Sequence, residues 1–129
     1  MKKTILLTTC LLFIYTSIVA LPNNDKTIKD LVNYLKNSGL VVSSEEDFWY
    51  MLAGANDGKR LTIEGDTIEI YKYDTDVPKQ KEILDDIKKK GKIIAMDMSM
   101  PVVVNGTFVL YVTEEHPAKQ KIIEIFNIF

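Results

Sequence analysis

His116 is the one histidine of this 129-residue sequence, and it stands after two acidic residues and before a proline in the run TEEHP. An imidazole flanked by Glu114 and Glu115 could ligate a metal ion or carry a proton. A metal site needs three or four converging ligands, however, and carboxylates at the start of a helix also complement the helix dipole. We therefore favour a role at a helix start over a metal site.

Asp74 and Asp76 form a second candidate, because the run YDTD follows a predicted strand. Two carboxylates in a loop after a strand can bind Mg²⁺ or Ca²⁺. A calcium-binding EF-hand loop would also need a glycine and a closing glutamate at fixed positions, and DTDVPKQKEILD has no glycine. The favoured interpretation is a helix entry that Asp76 caps and Pro78 begins.

Two further motifs are interpreted as turns. The run GANDG (54–58) has the glycines of a phosphate-binding loop, but a strand follows it where such a loop would lead into a helix. Asn105-Gly106-Thr107 matches a glycosylation sequon, but Asn-Gly is also a strong hairpin-turn signal. The sequence thus predicts no catalytic, cofactor-binding or metal-ligating residue, and no cofactor.

The first twenty residues differ in composition from the rest. Lys2 and Lys3 are followed by an uncharged stretch from Ile5 to Val19, and Ala20 precedes the run LPNND. This order is typical of an export signal, cleaved after Ala20, although an uncleaved membrane anchor has a similar layout. We therefore divide the chain into a signal peptide or anchor (1–20) and one globular domain (21–129).

Cys10 is the only cysteine, and it lies within this apolar stretch. The run LTTC is similar to a bacterial lipoprotein site, but Thr9 replaces the usual small residue and the apolar run continues beyond the cysteine, which favours no lipidation. Without residues 1–20, 14 basic and 18 acidic residues remain, for a net charge of −4. The one basic cluster, KKKGK (88–92), lies at a predicted helix end, so no nucleic-acid surface is expected.

The remaining pattern predicts alternating helices and strands. Ile28, Leu31, Val32 and Leu35 mark one helix face, capped by Asp25 and ended before Gly39. A short strand (40–42) and a second short helix (43–53) follow, the helix being predicted from two overlapping capping-box patterns at its start.

Two hairpins and two helices complete the predicted domain. The first hairpin (61–70) reverses at residues 64–66, and a helix runs from Pro78 to Gly91. After the weaker apolar run KIIAM, a second hairpin (101–112) turns at Asn105-Gly106, and a last helix begins at Thr113. The order α β α β β α β β α predicts one small α+β domain, its mostly antiparallel or mixed sheet covered by helices.

From Thr67 onward the chain resembles the C-terminal half of a thioredoxin-like domain. The resemblance rests on the strand TIEIYKYD, the helix PKQKEILDDIKKKG, and Met100-Pro101 before a strand and an Asn-Gly turn. It implies a cis proline at 101, whereas the residues alone favour a trans proline at the first position of a strand. No C-x-x-C motif is present, so the redox activity of that family is not expected.

Taken whole, the chain looks like small exported proteins, often lipoproteins, of low-GC Gram-positive bacteria and their mobile elements. Length, the Lys-Lys start and strings such as LVNYLKNSG and PVVVNG carry this resemblance. A few such proteins act in exclusion or immunity at the cell surface. The predicted function is an exported, non-enzymatic binding module, secreted or held on the outer face of the cytoplasmic membrane, with a protein partner at the cell envelope and no membrane contact beyond the N-terminal segment. The alternative is a degenerate thioredoxin-like domain with a metal- or small-molecule-dependent activity using Asp74, Asp76 and His116.

Overall fold

The computed structural model describes residues 23–129. The predicted export segment (1–20) and the question of Cys10 lipidation lie outside the described residues. The elements in chain order are α1 (Ile28–Asn37), β1 (Val42–Glu46), a 3₁₀ helix (Tyr50–Ala53), β2 (Asp57–Ile63), β3 (Asp66–Lys72), α2 (Pro78–Lys90), β4 (Lys92–Ala95), β5 (Met98–Pro101), β6 (Val103–Asn105), β7 (Phe108–Val112) and α3 (Lys119–Ile128).

Five strands form one antiparallel sheet in the order β1-β2-β3-β7-β6, and β4 pairs with β5 in a separate two-stranded sheet. The predicted α+β class is confirmed, and every strand pair of the described chain is antiparallel. Strand residues alternate between the two faces. One face packs against α1 and α3, and the opposite face packs against α2, the 3₁₀ helix and the β4–β5 hairpin.

Each face of the sheet has its own apolar core. Residues such as Leu61, Ile70 and Phe108 belong to the core beside α1 and α3, whereas Tyr71 and Val109 belong to the core beside α2. The prediction that Tyr71 and Tyr73 lie opposite Ile68 and Ile70 is confirmed. Because both faces are covered, the sheet needs no disulfide to bury its central strands.

The first helix forms as predicted but is capped by a different residue. The Thr27 hydroxyl accepts from the Asp30 amide, and the Asp30 carboxylate accepts from the Thr27 amide, which is a complete capping box. This arrangement also lowers the pKa of Asp30, chiefly through the backbone and side-chain hydrogen bonds to Thr27. The prediction of Asp25 as the cap is therefore wrong by two residues.

The predicted helix at 43–53 is wrong over most of its length. Ser43 to Glu46 lie in β1, where residues 44–46 pair with β2 and Ser43 lies at a register shift, so the two overlapping capping boxes do not form. Only Tyr50–Ala53 are helical, as a single 3₁₀ turn ended by Gly54 in the left-handed region with φ 73°. Strand pairing satisfies the backbone groups of this segment, so the local capping preference is overridden.

The two later helices begin differently from the prediction. Pro78 is the first residue of α2 and Gly91 ends it, as expected, but the N-cap is Val77 without a side-chain hydrogen bond, so Asp76 is not the cap. The third helix begins at Lys119, after a series of turns from Thr113 to Ala118, and not at Thr113.

The second hairpin is confirmed, with its turn one residue later than predicted. Asn105 pairs with Phe108, so the two loop residues are Gly106 and Thr107. Only Gly106 has a positive φ, 61°, as the first position of a type II′ turn requires. The Asn105 side chain instead donates to the Phe126 carbonyl of α3 at 2.9 Å, which fixes the hairpin to the helix.

Pro101 is the last residue of β5, paired with Lys92, and the strand of the main sheet begins only at Val103. The prediction that Pro101 opens that strand is thus wrong, but its trans peptide bond is confirmed, since the described chain has no cis peptide. The proline sits at an edge where its missing N–H removes no bond of the main sheet.

Gly106→Val is expected to lower the free energy of unfolding by about 2 kcal/mol, as judged from urea denaturation. A β-branched residue resists the positive φ, and a Cβ at this position would collide with the Asn23 side-chain oxygen. Gly65→Val is the matched control, because Gly65 also has a positive φ, 79°, but nothing within 4 Å of its added Cβ. Equal losses in both variants would show that the contact with Asn23 adds nothing.

Candidate functional site

His116 is a buried structural residue. Its side chain is 4% exposed, and its Nδ1 accepts from the Ala118 amide at 3.0 Å. Since that nitrogen accepts, the proton lies on Nε2, which is 3.2 Å from the Asp66 carbonyl and donates to it. The imidazole therefore links the start of β3 to the turns before α3, and both ring nitrogens are engaged.

Asp74 and Asp76 shape the entry to α2. The Asp74 carboxylate accepts from the Asp76 amide at 2.9 Å, and the Asp74 amide donates to the Gln80 side-chain oxygen at 2.7 Å. The first of these bonds is an Asx turn, which reverses the chain after β3. The helix-entry interpretation is therefore the one that the hydrogen bonds support, although the cap itself is Val77.

The structure does not bring Asp74, Asp76 and His116 together. His116 contacts Asp66 at the start of β3, whereas Asp74 follows the end of that strand at Lys72. Six residue steps at about 3.3 Å each separate the strand's two ends by roughly 20 Å. Within residues 23–129, no three His, Cys, Asp or Glu side chains are grouped so as to hold a metal ion.

His116→Ala is expected to lower the free energy of unfolding by about 1–3 kcal/mol, because the Ala118 amide loses its acceptor in a buried place. Thermal and urea unfolding would measure the loss. Asp76→Ala is the control, since that side chain is exposed and its carboxylate caps no helix, and it should change stability by less than about 0.5 kcal/mol. A His116 variant as stable as the wild type would contradict the structural role.

A surface that sequence reasoning missed lies on the α2 side of the sheet. We call it the methionine cleft: one wall is the 3₁₀ helix segment with Trp49 and Leu52, and the other is the β4–β5 hairpin with Met96, Met98 and Met100. Its volume is about 440 Å³. The cleft is mostly apolar and open to solvent on the side of Trp49, which is 75% exposed.

Three polar residues form the floor of the methionine cleft. The Arg60 guanidinium donates to the Glu69 carboxylate at 3.0 Å, and the Tyr71 hydroxyl donates to the other carboxylate oxygen at 2.5 Å. Arg60 also lies over the Phe48 ring, 5.4 Å from its centroid. Burial, and then the hydrogen bond to Glu69, raises the pKa of the Tyr71 phenol. Tyr71 consequently stays protonated and serves as a donor, which leaves Glu69 fully engaged.

The exposed apolar residues of the described chain concentrate around this cleft. Met51 and Ile94 line a second hollow on the other side of the 3₁₀ helix, against α2. We define the exposed apolar patch as six side chains that are at least half exposed: Trp49, Met51, Leu52, Ile94, Met96 and Met98. The sequence signal for it was the alternation of methionines in MDMSM, beside an apolar run that we could not assign.

Residues 23–129 therefore form a small α+β domain with a covered antiparallel sheet and an exposed apolar patch. None of the helices in residues 23–129 is both long enough and apolar enough to span a membrane. No protein-family model matches the chain, and searches of curated proteins and of solved structures likewise found no match.

Proposed function

We propose that this chain is an exported, non-enzymatic binding domain that docks a protein partner of the cell envelope through the exposed apolar patch. The observation that carries the proposal is the patch itself, in which six large apolar side chains are at least half exposed on neighbouring elements. Contiguous apolar surface of this kind is rare on monomeric proteins and marks binding sites. An export segment at residues 1–20 would place the domain where such a partner lies.

The composition of the patch supports protein recognition. Tryptophan is enriched among the residues that dominate binding energy, and flexible methionines adapt to irregular partner surfaces. Trp49 lines the methionine cleft and is 75% exposed, and its neighbour Leu52 lines both that cleft and the second hollow. A side chain in this position would be desolvated on docking, with the flanking methionines excluding water around it.

The charges around the patch support a partner surface that is apolar and rimmed by basic side chains. Asp97 lies exposed at the tip of the β4–β5 hairpin, between Met96 and Met98, and forms no ion pair within the described part of the chain. The Asp47 side chain beside Trp49 is 91% exposed, although it pairs with Lys59. Together with the net charge of −4 that residues 21–129 carry, these carboxylates favour encounter with a cationic surface.

The rival interpretation, an enzyme that uses Asp74, Asp76 and His116, requires those residues in one pocket. They lie at the two ends of β3, and both ring nitrogens of the buried His116 already form hydrogen bonds. The binding proposal needs none of them to contact a partner.

Trp49→Ala is expected to weaken binding of the partner roughly 30-fold or more, the equivalent of about 2 kcal/mol, because it removes the largest side chain of the patch. The tagged full chain would be cross-linked in its producing cells with membranes retained. A protein captured by the wild type would then be purified and titrated against each variant.

Val41→Ala and Ile128→Ala are the matched controls, because these side chains are 76% and 80% exposed but lie outside the patch. The proposal requires that both controls bind like the wild type, that Trp49→Ala does not, and that Asp97→Lys weakens binding in a salt-dependent way. Equal affinity of all variants, or equal loss in the controls, would refute it.

A further inference from the structure

Three of the methionines of this protein lie close together in the sequence. Of the five in the sequence, four lie in the described residues, and three of these, Met96, Met98 and Met100, alternate along one hairpin. All three line the methionine cleft, together with the only tryptophan, Trp49. The three methionine side chains and the tryptophan side chain thus line one cleft of about 440 Å³.

The register of the hairpin places two of these methionines on the same face. Met98 and Met100 are two apart in β5, opposite Ala95 and Ile93, so their side chains leave the same face of the ribbon. Met96 and Asp97 form the two-residue turn with φ of 50° and 64°. Methionine rarely adopts this left-handed conformation, and Met96 in this turn lines the same cleft as Met98 and Met100.

Thioether groups have a narrow choice of metal ion. They are soft, neutral ligands that favour Cu(I), whereas Mg²⁺ and Ca²⁺ require oxygen and Zn²⁺ takes thiolate, imidazole or carboxylate. Methionine has three rotatable side-chain bonds, so alternate residues can converge on one ion. An indole face further attracts a cation that lies over it.

The two carboxylates that line the methionine cleft are already engaged, and the unpaired Asp97 at the hairpin tip is not among the lining residues. The Glu69 carboxylate accepts from Arg60 and Tyr71, and the Asp47 carboxylate is 2.6 Å from the Lys59 ammonium. A hard divalent ion would have to break these ion pairs, whereas a soft monovalent ion needs only the sulfur atoms.

We propose that the methionine cleft binds one soft monovalent cation, Cu(I), through the sulfur atoms of Met96, Met98 and Met100, with the Trp49 indole over the ion. The site is independent of a protein partner, because all of its ligands come from this chain. No proton is released on binding, since a thioether carries none at any physiological pH.

Ag(I), the redox-stable analogue of Cu(I), is the first probe. The purified full chain with Cys10→Ser, which removes the one thiol, would be titrated in chloride-free buffer while the fluorescence of the single tryptophan is recorded. Saturable quenching at one equivalent is expected, with binding at least tenfold weaker after Met96→Leu, Met98→Leu and Met100→Leu together. Anaerobic competition for Cu(I) against a chromophoric chelator should give the same order of affinities.

Met51→Leu is the matched control, because Met51 lies in the neighbouring hollow and not in the methionine cleft. Leucine conserves volume and apolar character, so the triple variant should keep its fold, and the metal titration needs no protein partner, which separates the two proposals. Circular dichroism would verify the fold. Quenching that persists in the triple variant, an equal effect of Met51→Leu, or equal binding of Zn²⁺ would overturn the metal site.

Discussion

Phe108→Ala is expected to lower the free energy of unfolding by about 3–5 kcal/mol, the largest loss from a single truncation that we predict for this domain. Phe108 is fully buried in β7, the strand between β3 and β6. Its ring meets the Phe129 ring edge-on at 5.1 Å, and the Lys72 ammonium lies 4.4 Å from its centroid. Truncation would open a cavity where β7 meets α3 and would leave the cation without its aromatic partner.

Urea denaturation monitored by circular dichroism would measure this loss. Phe108→Leu should cost clearly less, because leucine refills much of the space, and Ile128→Ala should change stability by less than about 0.5 kcal/mol since Ile128 is 80% exposed. A loss below about 1 kcal/mol for Phe108→Ala would contradict the placement of the ring in the core.

Gly58→Val is expected to cost about 3 kcal/mol, because the position has no room for a side chain. A Cβ at Gly58 would lie 2.7 Å from the Tyr50 Cβ, 2.9 Å from the Phe48 ring and 3.0 Å from the Ile70 carbonyl oxygen. The backbone oxygen belongs to the central strand and cannot give way. Phe48 and Tyr50 must therefore shift, and they flank Trp49 in the wall of the methionine cleft.

Gly58→Val tests whether the absence of a side chain at Gly58 allows Phe48 and Tyr50 to pack at the wall of the methionine cleft. Besides the loss of stability in urea, Gly58→Val should change the fluorescence of Trp49 in the folded state, whereas Gly65→Val, whose added Cβ meets nothing within 4 Å, should leave it unchanged. The Phe48 ring packs edge-on against Tyr71 at 5.3 Å, so a displaced Phe48 would also disturb the floor of the cleft. An unchanged fluorescence spectrum in a folded Gly58→Val variant would contradict this role.

Much of the fold followed from local sequence patterns. The stripe from Ile28 to Leu35 marked α1, and Pro78 and Gly91 marked the ends of α2, because helix periodicity and end residues act within a few turns. The reversal predicted at residues 64–66 is a two-residue turn in which Glu64 and Gly65 both have positive φ. These signals depend on residues that are close together in the chain, so they can be predicted from a single sequence.

Only the tertiary structure decided what became of residues 43–53. Two serines followed by acidic residues predict a helix start, and in isolation the hydroxyls could cap one. Instead, Glu45 pairs with Leu61 and Glu46 with Arg60, and strand pairing satisfies the same backbone groups. The strand that pairs with this segment, β2, lies more than a dozen residues further along the chain, so a local pattern cannot predict the pairing.

The same reason explains why the candidate site could not be read from the sequence. His116, Asp74 and Asp76 have side chains suited to chemistry, but strand β3 separates them. The residues that do meet, Trp49 and the three methionines of the β4–β5 hairpin, are more than forty positions apart and belong to segments with no clear helix or strand period. The sequence by itself determined α1, α2, the reversal at residues 64–66 and the two faces of β3, because these depend on the backbone and near neighbours. The packing of the 3₁₀ helix and the hairpin onto one sheet face, allowed by the absence of a side chain at Gly58, created the cleft.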